Sequence, residues 1–353
     1  MLLGGSGPAK RSLQKEYSYI DLLRCMAVYM VIIFHCASGY VSQAAFFGTR
    51  TWWACLVISS FSRICISLFF MISGFLLLSG DKARDIRSFY RKRFARLALP
   101  FLFWDAAYFL ERCMLEGIQP DIVLFFQELA GKGSRYHLWF VYQILALYLL
   151  APFLKKIVDH SSVRELVLFL ALILLQPTVF RFLNIIQSTV NVAPFRALVE
   201  GFAGFFLLGY LLGAHPIPRC VKRAVYLAGC VGLVVNIVGN YRFSSPDGIA
   251  LYFSENYSIT QYMMASAVFL WVKETSEQFP AWLLRWAKGL SGLTFGIYFI
   301  HVLVLDAYGI AIRHVWPGLP DSMRIAVSFA IVPVFSTVFV YFFSKAPVLK
   351  RLI

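Results

Sequence analysis

Apolar runs of membrane-spanning length recur from residue 18 to residue 344, with only short polar stretches between them. They fall at roughly 18–40, 52–79, 97–115, 135–154, 163–182, 197–214, 224–241, 257–273, 289–312 and 322–344. A helix of about 20 apolar residues crosses the hydrocarbon core and satisfies its own backbone there. The pattern therefore predicts an all-α polytopic membrane protein of about ten transmembrane helices. Those helices use most of the 353 residues, so the expectation is one membrane-embedded domain over 1–353, with 1–17 as a cytoplasmic N-terminal segment. Composition agrees: 14% of residues are charged, against about 25% in soluble domains, too few to cover a soluble surface.

The formal net charge of +15 invites a nucleic-acid reading, but no contiguous basic domain exists. Lys and Arg fall instead in short clusters at the ends of the apolar runs. An even number of spans puts both termini on one side. That side carries 22 of the 33 Lys and Arg, the other carries nine, and Arg24 and Arg63 lie inside spans. The positive-inside bias then places both termini in the cytoplasm, with membrane lipids as partners and no nucleic acid. The seven Cys lie in or beside apolar runs without metal-site spacing, which predicts free thiols and no metal. The first apolar run is too long for a signal-peptide core and is kept as the first span.

Within the first span, Arg24 precedes His35 by eleven residues, about three helical turns, so both lie on one helix face roughly 16 Å apart. Ionisable groups at such depth are costly and mark function. The spacing suits a long amphipathic ligand whose anionic end meets Arg24 and whose reactive end meets His35. The bland alternative has Arg24 snorkelling and His35 bonded to a neighbouring helix.

The second run, long enough to be bent, carries Arg63 in its first half and Ser73-Gly74 in its second. Depth matching for antiparallel spans sets Arg63 near His35, and Ser73 and Gly74 near Arg24. A cation beside His35 favours the neutral imidazole that a general base requires, or stabilises a developing oxyanion. Pairing with an acid such as Asp306 is the structural alternative. For Ser73-Gly74 alone, close helix packing by small residues is the simpler account.

After the second run, Arg84, Arg87, Arg91, Lys92, Arg93 and Arg96 crowd the cytoplasmic side. Arg93 and Arg96 share a helix face and can clamp phosphates, although positive-inside bias explains the charge equally well. Tyr136-His137-Leu138-Trp139 opens the fourth run, where an aromatic belt accounts for the rings and His137 is either an acceptor contact or incidental. In the ninth run, His301 lies near mid-membrane with Tyr298 one turn before it. No His-Glu-x-x-His pattern occurs.

In their joint order these motifs resemble the acyltransferase 3 family of integral membrane acyltransferases. The most specific is Arg24-x10-His35 within Ile-Asp-Leu-Leu-Arg. It is followed by Phe-Phe-Met-Ile-Ser-Gly-Phe-Leu-Leu, Arg93-x-x-Arg96, Tyr-His-Leu-Trp-Phe, the run at 204–210 and Gly-Ile-Tyr-Phe-Ile-His. The likeness is greatest to compact members that O-acetylate enterobacterial common antigen and similar glycans. The resemblance implies a ten-helix domain in a bacterial inner membrane that takes acetyl-CoA as acyl donor. The acceptor it implies is a hydroxyl of a surface polysaccharide or lipid-linked glycan precursor. Some members carry a fused extracytoplasmic SGNH domain; its absence here suggests direct transfer.

Residues and resemblance together yield an expected mechanism. Arg93 and Arg96, with Arg24 and Ser73, hold the donor. The pantetheine arm runs along the first span, and His35 deprotonates the acceptor hydroxyl or forms an acetyl-His intermediate. Arg63 or Tyr298 stabilises the oxyanion, and His301 orients the acceptor or passes the proton. Two rivals are a polytopic transporter or flippase for a glycan lipid, with His35 and His301 as proton relays, and the other large class of membrane-bound O-acyltransferases. The first calls for inverted repeats, which are not evident; the second lacks Arg-x10-His on its first span.

Overall fold

The structure, a computed structural model, describes residues 18–83, 85–131, 133–186, 202–347 and 349–353. The N-terminal segment 1–17, Arg84, Lys132, Arg196 and residues 197–201 of the sixth apolar run lie outside the described residues.

The described chain is a bundle of helices: α1 (Ser18–Val41), α2 (Arg50–Ser62), α3 (Ile64–Leu78), α4 (Ile86–Glu116), α5 (Ile122–Gly131), α6 (Trp139–His160), α7 (Val163–Ile186), α8 (Ala203–Ala214), α9 (Arg219–Phe243), α10 (Ile259–Thr275), α11 (Ala281–Ser291), α12 (Thr294–Val315) and α13 (Asp321–Lys345). Among the described residues, six segments are long and apolar enough to cross a membrane: α1, α2 with α3, α6, α9, α12 and α13. α4, α7, α8 and α10 coincide with the remaining apolar runs but fall short of that measure, α8 being only 12 residues long as described.

α1 is the hub. It touches α2, α3, α10, α11, α12 and α13, and its Leu23, Ala27, Val28 and Ile32 have no exposed surface. Charged or polar residues on such a helix are thereby held inside protein rather than in lipid. The outer ring is apolar in the opposite sense: Leu168 and Leu172 on α7, and Leu227 and Val234 on α9, are exposed as lipid-facing side chains should be.

Two local features shape the site. The second run is indeed broken, since a single turn residue, Arg63, separates α2 from α3. α3 and α8 meet at glycines: a Cβ on Gly74 would lie 1.8 Å from the Phe206 carbonyl oxygen, and one on Gly209 would lie 2.0 Å from that of Met71. Backbone-to-backbone approach of this kind is how helices associate where lipid offers no hydrophobic driving force. Close packing thus accounts for Gly74, while Ser73 beside it remains half-buried.

Three segments differ in outline from the sequence pattern. The basic stretch after α3 is helical from Ile86, so Arg93 and Arg96 ride on α4, whose first turn is capped by Asp85 accepting from the Ser88 amide at 3.2 Å. The ninth run is preceded by a separate helix, α11, with Trp282 and Trp286 outside and Ala287 and Leu290 inside. α5 lies between the third and fourth runs, tied to α4 by an Arg112–Glu128 ion pair. Apolar content alone marks spans and does not separate them from flanking amphipathic turns.

Candidate active site

Three histidines from three parts of the chain converge. His35 comes from α1, His301 from α12 and His137 from the turn before α6. The imidazole centroids of His35 and His301 lie 5.2 Å apart, as do those of His137 and His301. His301 has no exposed surface and His137 is 2% exposed, whereas His35 is half-buried and reaches two cavities.

The tautomer of His301 follows from its partner. Its Nδ1 lies 2.6 Å from the Tyr298 carbonyl oxygen, which can only accept, so Nδ1 carries the proton. Nε2 is then the lone-pair nitrogen of the neutral ring, and it is buried without a partner among the described residues. His137 faces the Phe299 carbonyl without a well-formed hydrogen bond to it. Buried imidazoles left this way are a store of unused acceptor and donor capacity.

Distant residues hold His137 in place. Asp105 on α4, with no exposed surface, accepts from the Ser134 amide at 2.8 Å and from its hydroxyl at 3.2 Å. Gly133 takes φ 82°, and a Cβ there would meet Asp105 Oδ1 at 2.9 Å, so glycine is required on both counts. The far side of the turn is pinned by Tyr298, whose hydroxyl donates to the His137 carbonyl at 2.5 Å. That hydroxyl is therefore engaged in positioning His137 rather than aimed at open space. Tyr108 completes the frame. Its hydroxyl donates to the Phe299 carbonyl at 2.6 Å and accepts from the Leu303 amide at 3.2 Å. These two groups are i and i+4 partners, so Tyr108 bridges the ladder of α12 on either side of His301.

Arg63 sits where depth matching put it. Its guanidinium stacks 4.9 Å from the Phe34 ring, next to His35. With His35, His137, Tyr298, Tyr136 and Asn256 it lines a cavity of about 290 Å³. Asp306, the structural alternative for Arg63, is ion-paired with Arg135 instead.

At the other end of α1 lies a separate basic cavity of about 470 Å³ lined by Ser88, Phe89, Lys92, Arg93 and Arg96. Arg93 stacks over both Phe89 and Tyr148 at 5.8 Å, and Tyr148 and Arg96 lie within electrostatic reach of Arg24. Arg24 also has Asp21 at 4.0 Å. Arg24, Arg93 and Arg96 thus form one, cationic, cluster, and His35, Arg63, His301 and Tyr298 form a second, imidazole-rich one, with about 16 Å of α1 between them. Ser73 falls in neither lining.

The sequence raised His137 only as an acceptor contact or an incidental residue, and it did not single out the Arg135–Asp306 pair. The only signal for His137 was an imidazole at a span entrance, which an interfacial aromatic belt explains as well.

All seven cysteines are free thiols. Neither a curated protein nor a solved structure was found to match the chain. A family model described as an acyltransferase domain matches residues 17–344, a span that includes every residue of both clusters, and the chain therefore belongs to the acyltransferase 3 family.

Proposed function

We propose that this membrane acyltransferase is an O-acetyltransferase. It would move an acetyl group from cytoplasmic acetyl-CoA to a hydroxyl of a surface polysaccharide or lipid-linked glycan precursor. The observation that carries the reading is the placing of the two clusters at the two ends of one helix, α1: a cationic cavity at the Arg24 end and a cavity-lining imidazole at the His35 end. Their separation matches a ligand with phosphates at one end and a reactive thioester at the other.

In this reading the phosphates of CoA sit against Arg93, Arg96 and Arg24, with Ser73 on the same side of the membrane. His35 takes the proton of the acceptor hydroxyl as its oxygen attacks the thioester carbonyl. The C–S bond breaks, the acetyl ester forms, and the proton passes to the departing thiolate to give free CoA. Arg63 faces the charge that develops on the carbonyl oxygen. The unpartnered Nε2 of His301, one ring away from His35, supplies a second acceptor for the same proton. Tyr298 acts through His137.

Ten spans with both termini in the cytoplasm of a bacterial inner membrane belong to the same proposal. The helices that match every apolar run and the distribution of Lys and Arg support it.

The test uses purified protein, labelled acetyl-CoA and an extract of lipid-linked glycans, wild type beside His35→Ala. Label should enter the lipid-glycan fraction with wild type and fall by about 10²–10⁴-fold in the variant, the usual weight of a general base. Turnover retained in His35→Ala removes His35 from the chemistry. A folded wild type that neither binds acetyl-CoA nor releases CoA removes the reaction.

A further inference from the structure

Two cavities meet beside α12. The first, about 390 Å³, begins at His35 and runs past Gly39, Gly309 and the Arg135–Asp306 pair to Arg313 and Arg324. The second, about 500 Å³, is an apolar groove between α12 and α13 lined by Ala307, Ala311, Val315, Trp316, Phe335 and Phe339 among others. Tyr308 and Ile312 belong to both linings, so the groove and the His35 cavity are neighbours across one ridge of α12.

The charge in the first cavity is uneven. The one carboxylate among its described lining residues, Asp306, is taken by Arg135. Arg313 folds back over Gly309, its Nη2 3.8 Å from where a Cβ there would stand. It belongs to none of the ion pairs among the described residues. Arg324 donates through Nη2 to the Pro317 carbonyl at 2.6 Å, while its Nε is buried with no partner among the described residues. Asp321, one turn before Arg324, lies near Tyr40, as Arg324 does, but forms no ion pair with either arginine among the described residues. Two guanidinium groups outside any ion pair at the head of a greasy groove are complementary to one kind of molecule. That molecule has an anionic head and a hydrocarbon chain.

The groove is open to the surroundings of the bundle. Val315, Trp316, Phe335 and Phe339 are all exposed on it. Its extent along α12, from Ile300 to Val315, is about 22 Å, enough for one extended acyl or prenyl chain in a single leaflet.

We propose that the acceptor is a phosphate-linked lipid that enters sideways from the bilayer. Its chain lies in the α12–α13 groove, its phosphate between Arg313 and Arg324, and its hydroxylated head in the cavity that ends at His35. This rests on the acetyltransferase reading and narrows its acceptor to a lipid-borne one. The donor then arrives from the Arg93–Arg96 end and the acceptor from the side of α12, so the two substrates meet at His35 without sharing an entrance. The step stays balanced: the acceptor hydroxyl loses its proton and gains the acetyl group, and CoA leaves as the thiol.

The site is tested by native mass spectrometry of the full chain offered equal amounts of a polyprenyl phosphate, the matching polyprenol and phosphatidylglycerol. Wild type should retain the polyprenyl phosphate about tenfold over the polyprenol, a preference worth one or two charge-assisted contacts. Arg313→Gln with Arg324→Gln should erase that preference, and Arg313→Lys with Arg324→Lys should keep part of it. Ala307→Trp with Ala311→Trp should displace phosphate and alcohol alike. Elution on size exclusion and helical circular dichroism report folding of each variant. Equal retention of phosphate and alcohol overturns the proposal, as does a preference unchanged in the Gln variant. One-for-one competition by phosphatidylglycerol marks the groove as a place for bulk lipid only, and also overturns it. A wild type that selects the lipid phosphate yet never consumes acetyl-CoA removes the reaction and leaves the lipid site. One that consumes acetyl-CoA with no lipid preference removes the lipid site alone.

Discussion

Tyr108 and Tyr298 each spend a phenol on backbone next to a histidine, and the two bonds have different consequences. Tyr298 holds the His137 carbonyl through its hydroxyl. Tyr298→Phe removes one hydrogen bond from a buried carbonyl, a loss of about 1–3 kcal/mol. The expected result is a lower melting temperature and a fall in kcat with KM for acetyl-CoA unchanged, because the donor end is far from His137. A rise in KM with kcat intact would place Tyr298 on the donor side. Tyr108→Phe leaves the Phe299 carbonyl and Leu303 amide to find each other, since they are natural ladder partners. Its stability cost should be the smaller of the two, although the same bridge sets how α12 presents His301. Comparing the two variants by thermal unfolding and steady-state kinetics separates cost from positioning. A larger stability loss in Tyr108→Phe than in Tyr298→Phe would mean that the ladder cannot close.

Helix contacts obey a different logic, because apolar side chains gain nothing by leaving lipid for other apolar side chains. What α3 and α8 gain is proximity, and Gly74 and Gly209 supply it. Gly74→Ala and Gly209→Ala each insert a methyl group into a facing carbonyl, and neither neighbour is a side chain that can swing away. Overpacking of this kind costs about 1–3 kcal/mol, which lowers the melting temperature in detergent by roughly 2–10 °C. Gly289→Ala is the control: on α11, a Cβ there meets nothing within 4 Å, and helix propensity favours the change. Equal melting of all three variants would show that the α3–α8 contact does not limit stability. The break at Arg63 belongs to the same scale. The length of the second run made a bend legible, and the one turn residue there, Arg63, stacks its guanidinium on Phe34 beside His35. Arg24, His35 and His301 were legible because charge and imidazole stand out against hydrocarbon. The place of His137 was not, because its position depends on Asp105, 32 residues earlier, and on Tyr298, 161 residues later. The pairing of Asp306 with Arg135 was hidden likewise: spacing within a helix is readable from sequence, whereas which helices face each other is a property of the packed bundle.

For the molecule as a whole, the two clusters on α1 define a direction. The cationic cavity opens at the Arg24 end, which faces the cytoplasm in the proposed topology. The Arg313–Arg324 cavity opens at the opposite end of the bundle, because α12 runs from the level of Thr294 outward to Val315. Such an arrangement makes activity sided. In sealed vesicles of inverted membranes, the Arg93–Arg96 face meets the bath, and added acetyl-CoA should be consumed at once. In right-side-out vesicles the same acetyl-CoA should remain intact until detergent opens them, after which the rates should converge to within about twofold. The charge of CoA makes the assay clean, since a multiply charged nucleotide does not cross hydrocarbon unaided. Equal consumption by both kinds of vesicle, with their sealing verified, would mean that the donor reaches His35 from the outer face. In that case the Arg24 end is not the donor entrance, and the positive-inside assignment of the termini and the role of Arg93 and Arg96 fall together.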